Sequence, residues 1–323
     1  AVLPSPPAGT RQVVTVDSQV AGVHYPADLD PALVGWRLVM VNLSDLAATG
    51  ADPAHAFLAL SAPAGYEHRR FFDGLLAACE VYGVTLAGGD LARTEPAVAT
   101  LTLTGWLPEG RGALRRGTAE PGHTLWVGGT LGESAAGRLL LAAGATARFE
   151  ESATEPLDKG GERAAAPVAV EVPADFSGSL EAAARRAVRR HLAPVPQLAL
   201  GRALAAAGAA SAAMDLSDGL AVDLARLCRA SRVGAEVEAD LLPLVEGFDT
   251  LAARYGADPI RLATEGGEDY VLLFTLPPDG EPPAGFDCTR IGRIVDGEET
   301  VLLADGERRS LGEDGWDHLR SET

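Results

Sequence analysis

The stretch Gly35–Pro53, GWRLVMVNLSDLAATGADP, decides how the chain folds. It reads as an apolar, small-residue helix. Asp30-Pro31 supplies an N-cap and a first helical position, and Gly50 ends the run with Pro53 beyond it. Asp45 stands inside this helix, with Asn42 three residues earlier on the same face. A carboxylate there is costly to bury unless it meets a cation. Two readings therefore stand: metal ligation, or a side chain bonded to neighbouring backbone at a helix break.

Outward from this helix, residues 12–17 (QVVTVD) read as a strand ending in a carboxylate. A second helix is expected over about 65–82. A strand at 84–88 precedes Gly-Gly-Asp, and an alternating, β-branched strand covers 97–106. The turn-rich run 110–122 marks a boundary, giving domains of 1–117 and 118–323. In the second half HTLWVGGTLGESAAGRLLLAAG reads as strand, glycine turn and helix. Residues 145–179 have little periodicity and are expected to be a mobile insertion. Helices are expected at about 180–191 and 195–208. Residues 211–234 read as strand, turn and helix closed by a Gly, and GGEDYVLLF as a polar turn before a strand. Strands and helices mix without strict alternation, so the fold class is α+β.

The chain has 323 residues, 45 acidic against 27 basic, and a formal net charge of −18. Lys159 is the single lysine. Apolar content of 47% excludes wholesale disorder. The negative balance argues against nucleic acid or an anionic membrane as partner, and no Walker A loop occurs. Three scattered cysteines form no C-x-x-C, which fits a reducing cytoplasm. No apolar run approaches a membrane span, and AVLPSPPAGTRQ lacks the pattern of a signal peptide.

Acids at element ends carry the chemical signal. Asp17 ends the first strand with Thr15 on the same face, and Asp90 follows Gly88-Gly89. Asp215, Ser217 and Asp218 sit at a strand-to-helix junction, and Gly266–Tyr270 presents Glu268 in a glycine turn. Each has a plainer reading as a turn or helix cap. Together, hard oxygen ligands with few His or Cys suggest Mg²⁺, which can stand between an acidic protein and phosphates. GGTLGESAAG is a weak phosphate-loop signal, read equally as a tight turn. His24 and Trp316 are candidate substrate contacts or structural residues.

In order along the chain, VDSQVAGVHY, GWRLVMVNLSDLAATGADP, GVTLAGGDLAR, GTLGESAAG, HLAPVPQLALG, MDLSDGLAVDL, GGEDYVLLF and GWDH resemble the pattern of thiamine-monophosphate kinases. These are members of the ATP-binding superfamily of aminoimidazole ribonucleotide synthetase, selenophosphate synthetase and HypE. The resemblance implies a two-domain α+β protomer whose N-terminal domains pair into a homodimer with a shared β-barrel. It implies direct transfer of the ATP γ-phosphoryl group to thiamine monophosphate. Thr15, Val16 (by backbone), Asp17, Asp45, Asp90, Asp215 and Asp218 fall on its Mg²⁺ positions, with Asp45, Asp90 and Asp218 expected to be catalytic. Phe72, Gly89, Asp90, Arg116 and Ser217 fall on nucleotide positions, Phe72 replacing a frequent Tyr. His24, Glu268 and Trp316 fall on substrate positions. The family opens with a Gly-Ile-Gly-Asp-Asp-Ala motif, and this sequence starts at about its end; the motif is expected to precede Ala1. The rivals are another enzyme of the superfamily and a non-catalytic nucleotide-binding dimer.

Overall fold

The computed structural model describes residues 1–150 and 167–312. Residues 10–108 contribute, in order, β1 (Thr10–Val20), α1 (Pro31–Thr49), β2 (Asp52–Ala62), α2 (His68–Val81), β3 (Thr85–Arg93) and β4 (Val98–Pro108). The four strands lie in the order β1-β4-β2-β3, with β2 and β3 parallel and the other neighbours antiparallel. The predicted caps of α1 are present. The Asp30 carboxylate accepts from the Ala32 N–H at 3.0 Å, and Gly50 takes the left-handed conformation at φ 76°.

Helix α1 packs on β1, β4 and β2 and also against α2. It is apolar on nearly every side, and residues 32–44 are all buried. The contact with α2 is backbone to backbone: a Cβ on Gly74 would lie 1.8 Å from the Ala32 carbonyl oxygen.

The second half runs β5 (Thr124–Gly128), α3 (Glu133–Ala142), β6 (Thr146–Phe149), β7 (Val168–Glu171), α4 (Gly178–Leu192), α5 (Leu198–Ala207), β8 (Ala212–Asp215), α6 (Leu220–Ser231) and β9 (Gly234–Glu238). It continues with α7 (Phe248–Arg254), α8 (Pro259–Glu265), β10 (Leu272–Leu276), β11 (Cys288–Val295), β12 (Thr300–Ala304) and β13 (Glu307–Ser310). Seven of these strands form one sheet, β13-β12-β9-β11-β5-β10-β8, in which only β12 and β9 run parallel. Helix α1 reaches this half too, packing on α5 and β8. A Cβ on Gly201 of α5 would lie 2.0 Å from the Ala47 carbonyl oxygen. The α+β class is that expected.

Several local expectations need correction. Gly88, Gly89 and Asp90 are not a turn after a strand but lie within β3, in register with Phe57, Leu58 and Ala59. The expected insertion at 145–179 carries regular structure in its described parts, 145–150 and 167–179, while residues 151–166 lie outside the described residues. β6 and β7 pair antiparallel, Phe149, Val168 and Val170 are buried, and α4 starts at Gly178. The Asp30 carboxylate also accepts the Phe149 N–H at 2.8 Å, so this hairpin is tied to the start of α1. Helix α6 ends at Arg232, which takes φ 60°, and Gly234 begins β9 instead.

Overpacking a well-filled contact costs about 1–3 kcal/mol, and at Gly74 the obstacle is backbone. Gly74→Ala is expected to lower stability by at least about 2 kcal/mol. Gly110→Ala, where a Cβ meets nothing within 4 Å, should be near neutral. Thermal melts of the two variants check the contrast.

Candidate active site

A cavity of about 890 Å³ lies where β1, α1, the β8–α6 turn and the turn before β10 meet. Its walls include Asp17, Asp45, Asp215, Ser217 and Asp218, with His24 and Glu268 alongside. Six positions scattered over 200 residues of sequence, and a seventh beyond them, thus share one space.

Each acid is presented by a definable element. Asp17 stands on the α1-facing side of β1, and its Oδ1 accepts the Ser18 N–H at 2.6 Å. Asp45 projects from α1, and the Thr15 hydroxyl donates to its Oδ2 at 2.5 Å. Asp215 ends β8, and its Oδ2 accepts from the Ser44 hydroxyl at 2.7 Å. Neither Ser217 nor Asp218 caps α6. The N-cap is Gly219, and the Asp223 carboxylate accepts the N–H groups of both Ser217 and Asp218 at 2.9 Å. Asp218 itself pairs with Arg226.

Burial raises the Asp45 carboxyl, against the lowering effects of Thr15 and Arg116. Burial, and then the charge of Asp45, raise Asp215 as well. A half-buried and a buried carboxyl, both raised by burial and the second also by the charge of the first, are a natural seat for a cation. Among the described residues no three Asp, Glu, His or Cys side chains converge on one ion position. Mg²⁺ does not need such a cluster, because it keeps several waters and takes one or two carboxylates plus substrate phosphates. The donor set therefore fits the metal.

Other predicted site residues lie elsewhere in the chain. Asp90 pairs with Ala59, Ala59 with Thr100, and Thr100 with Ser18, so Asp90 faces away from α1. Three strand spacings, roughly 14 Å, separate its strand from that of Asp17. Gly89 lies beside it, where a Cβ would come 2.1 Å from the Leu58 carbonyl oxygen. Phe72 is half-buried on α2, edge-on to Phe71 at 5.9 Å. Arg116 is exposed after β4, its charge acting on Asp45. Val16 is exposed on β1. Trp316 lies outside the described residues. GGTLGESAAG is a tight turn whose helix end is already occupied. The Asp269 carboxylate accepts the N–H groups of Gly132 at 2.9 Å and Ser134 at 3.4 Å.

Sequence reasoning missed the cations and polar groups that shape the cavity: Arg37, buried beneath it, and Gln19, Arg138 and Tyr270 on its wall. Arg37 left one signal, as the sole cation in an otherwise apolar helix.

The fold and this acid-lined cavity define an AIR synthase related protein. The family model for the N-terminal domain of those proteins matches residues 1–107, and that for the C-terminal domain matches residues 120–305. Thiamine-monophosphate kinase of Salmonella typhimurium is 36% identical over 320 residues, covering 95% of this chain and 86% of its own. The chain belongs to the thiamine-monophosphate kinase family. The crystal structure of thiamine-monophosphate kinase from Stenotrophomonas maltophilia K279a is 35% identical, with a TM-score of 0.76 over 95% of this chain and 89% of that one. A solved AaThiL complexed with AMPPCP and TMP is 30% identical, with a TM-score of 0.78 over 98% and 90%.

The upward shifts at Asp45 and Asp215 fix a sign. A carboxyl with a raised folded pKa supports the fold fully below its unfolded pKa, and that support is lost as pH rises through the folded value. Asp215→Asn should therefore raise the metal-free Tm at about pH 8 and leave it near wild type at about pH 4. It should also shrink the Tm gain produced by Mg²⁺. Melts in EDTA and in Mg²⁺ measure both effects.

Proposed function

We propose that this chain is an ATP:thiamine-monophosphate phosphotransferase, a Mg²⁺-dependent kinase whose acceptor is itself a phosphate. The observation that carries the reading is the gathering of Asp17, Asp45, Asp215 and Asp218 with His24 and Glu268 around one cavity. Its support is a family whose solved relative holds AMPPCP and TMP.

Asp17, Asp45, Asp215 and Asp218, with Thr15 and the Val16 backbone, would share more than one Mg²⁺ ion, each ion taking one or two of the carboxylates beside substrate phosphates. Bound there, Mg²⁺ would offset the charge of two polyanions and polarise phosphoryl oxygens. The protein's own groups position the partners. Ser217 and Arg116 face the nucleotide phosphates, Arg116 adding charge where lysine is absent. His24 and Glu268 hold the thiamine end, and Trp316, the remaining substrate position of the resemblance, lies outside the described residues. An oxygen of the acceptor phosphate bonds to the γ-phosphorus as the bond to the ADP oxygen breaks. No protein nucleophile enters, so catalysis rests on alignment and charge.

Asp90, Gly89 and Phe72 belong to the same proposal through a homodimer. The sheet face away from α1 leaves Val14 59% and Val16 62% exposed, and β-branched side chains there suit burial against a second copy that closes a barrel. Asp90 shares that face and would reach the partner's site. The domains divide at about residue 117, and the enzyme works in the cytoplasm, consistent with the buried thiols Cys79 and Cys228. Among the described residues no helix is long and apolar enough to cross a membrane.

Incubation of full-length protein with ATP, Mg²⁺ and thiamine monophosphate should yield thiamine diphosphate. Intact ATP binding without product would sink the reading. Asp45→Asn should lose turnover by about 10²-fold or more without lowering its Tm. A collapse of the fold would make Asp45 structural. Val16→Glu should give a monomer by sedimentation, and mixing inactive Asp90→Asn with inactive Asp218→Asn should restore part of the activity.

A further inference from the structure

The geometry points to Arg37 as the positioning residue of the thiamine end of the site, acting through Glu268 and Gln19. This rests on the kinase reading above. The Arg37 side chain is wholly buried, yet it touches the cavity through others. Its Nη2 donates to Glu268 Oε1 at 2.6 Å and its Nε to Gln19 Oε1 at 3.0 Å. Its Nη1 donates to the His191 carbonyl oxygen, and the guanidinium carbon lies 5.7 Å from the centre of the Tyr270 ring. Gln19, Glu268 and Tyr270 all line the cavity. One planar fork thus fixes side chains from β1 and from the turn before β10, a task a lysine's single ammonium performs poorly.

Glu268 is held from its other oxygen as well. His191 Nδ1 lies 3.2 Å from Glu268 Oε2 and 3.1 Å from the Ser134 hydroxyl. Burial pushes His191 down to about 4, so the imidazole is neutral at pH 7 and acts by hydrogen bonding. Burial would raise the Glu268 carboxyl, but Arg37 leads the groups that hold it below its ordinary value. An ionised carboxylate in a cavity built for phosphates repels them. It therefore marks the end that receives a cationic heteroaromatic ring. Without Arg37 that carboxylate would lose its buried cation and keep only the His191 contact to fix its direction.

A double-mutant cycle tests this, using Arg37→Met, Glu268→Gln and the pair. Thiamine monophosphate Kd is measured calorimetrically with ADP and Mg²⁺ present, beside KM for both substrates and Tm. Each single change is expected to weaken thiamine monophosphate about tenfold, to leave the ATP KM within about twofold, and to add little to the other. Equal weakening of ATP, or effects that multiply in the double variant, would overturn the inference. Should Arg37→Met fail to fold, Arg37→Lys keeps the charge and loses the fork. It is then expected to show the same split, and a wild-type Kd in Arg37→Lys would equally overturn the proposal. Wild-type binding without turnover would sink the kinase reading instead, while the binding cycle still decides on Arg37.

Discussion

The site depends on how closely other backbones approach α1. At Gly74 and Gly201 the neighbouring helices meet its carbonyl oxygens with no side chain between. Such contacts leave no room to slide or roll, because close-packed interiors respond to displacement by clashing rather than by flowing. Helix α1 is therefore fixed relative to α2 on one side and α5 on the other. It also carries Arg37, Val41 and Asp45 at i, i+4 and i+8, one face of a helix. With a rise of 1.5 Å per residue, Arg37 and Asp45 are about 12 Å apart along the axis. The metal end and the Glu268 end of the cavity are thus set by one rigid rod.

Charge is organised along the same rod. At the Asp45 end, half-buried Asp45 and buried Asp215 are both raised in pKa by burial, and the charge of Asp45 raises Asp215 further. At the Arg37 end, a buried cation and Glu268 compensate each other. Burying one partner of such a pair alone costs several kcal/mol, so the pair specifies a geometry more than it adds stability. The arginine-rich, lysine-poor composition fits this use. Arg70 likewise grips both oxygens of Asp30, at 2.9 and 2.7 Å, where α1 begins.

Local features were legible in the sequence. Asp30-Pro31 and Gly50 bracket α1 because capping and the left-handed conformation are properties of single residues and their immediate neighbours. The acids of the cavity could be picked out as carboxylates in apolar or glycine-flanked settings. What escaped were features whose cause lies far away in the chain. Gly88-Gly89 looks like a turn, yet Gly89 stands within a strand where the Leu58 backbone passes too close for a Cβ. The glycine run before α3 looks like a phosphate loop, yet the group its N–H donors meet is the Asp269 carboxyl, 137 residues from Gly132. The β6–β7 pairing is too short to show periodicity, and Arg37 draws its meaning from partners on three other elements.

The turn before β10 shows why such distant ties are needed. Glu268 takes φ 61° and Tyr270 φ 51°, a region that costs a non-glycine residue about 1–2 kcal/mol. The surroundings hold both in place. The Glu268 N–H donates to the Ser217 carbonyl at 2.6 Å and the Tyr270 N–H to that of Leu216 at 2.8 Å. Asp269 is anchored to α3 and the Glu268 side chain to Arg37. The turn bearing Glu268 is thereby laced to the turn bearing Ser217 and Asp218. Strain of this kind persists only where neighbours over-determine the backbone. Here they do so from β8, α3 and α1 together, which lets one cavity hold its metal-side and ring-side groups in a single arrangement.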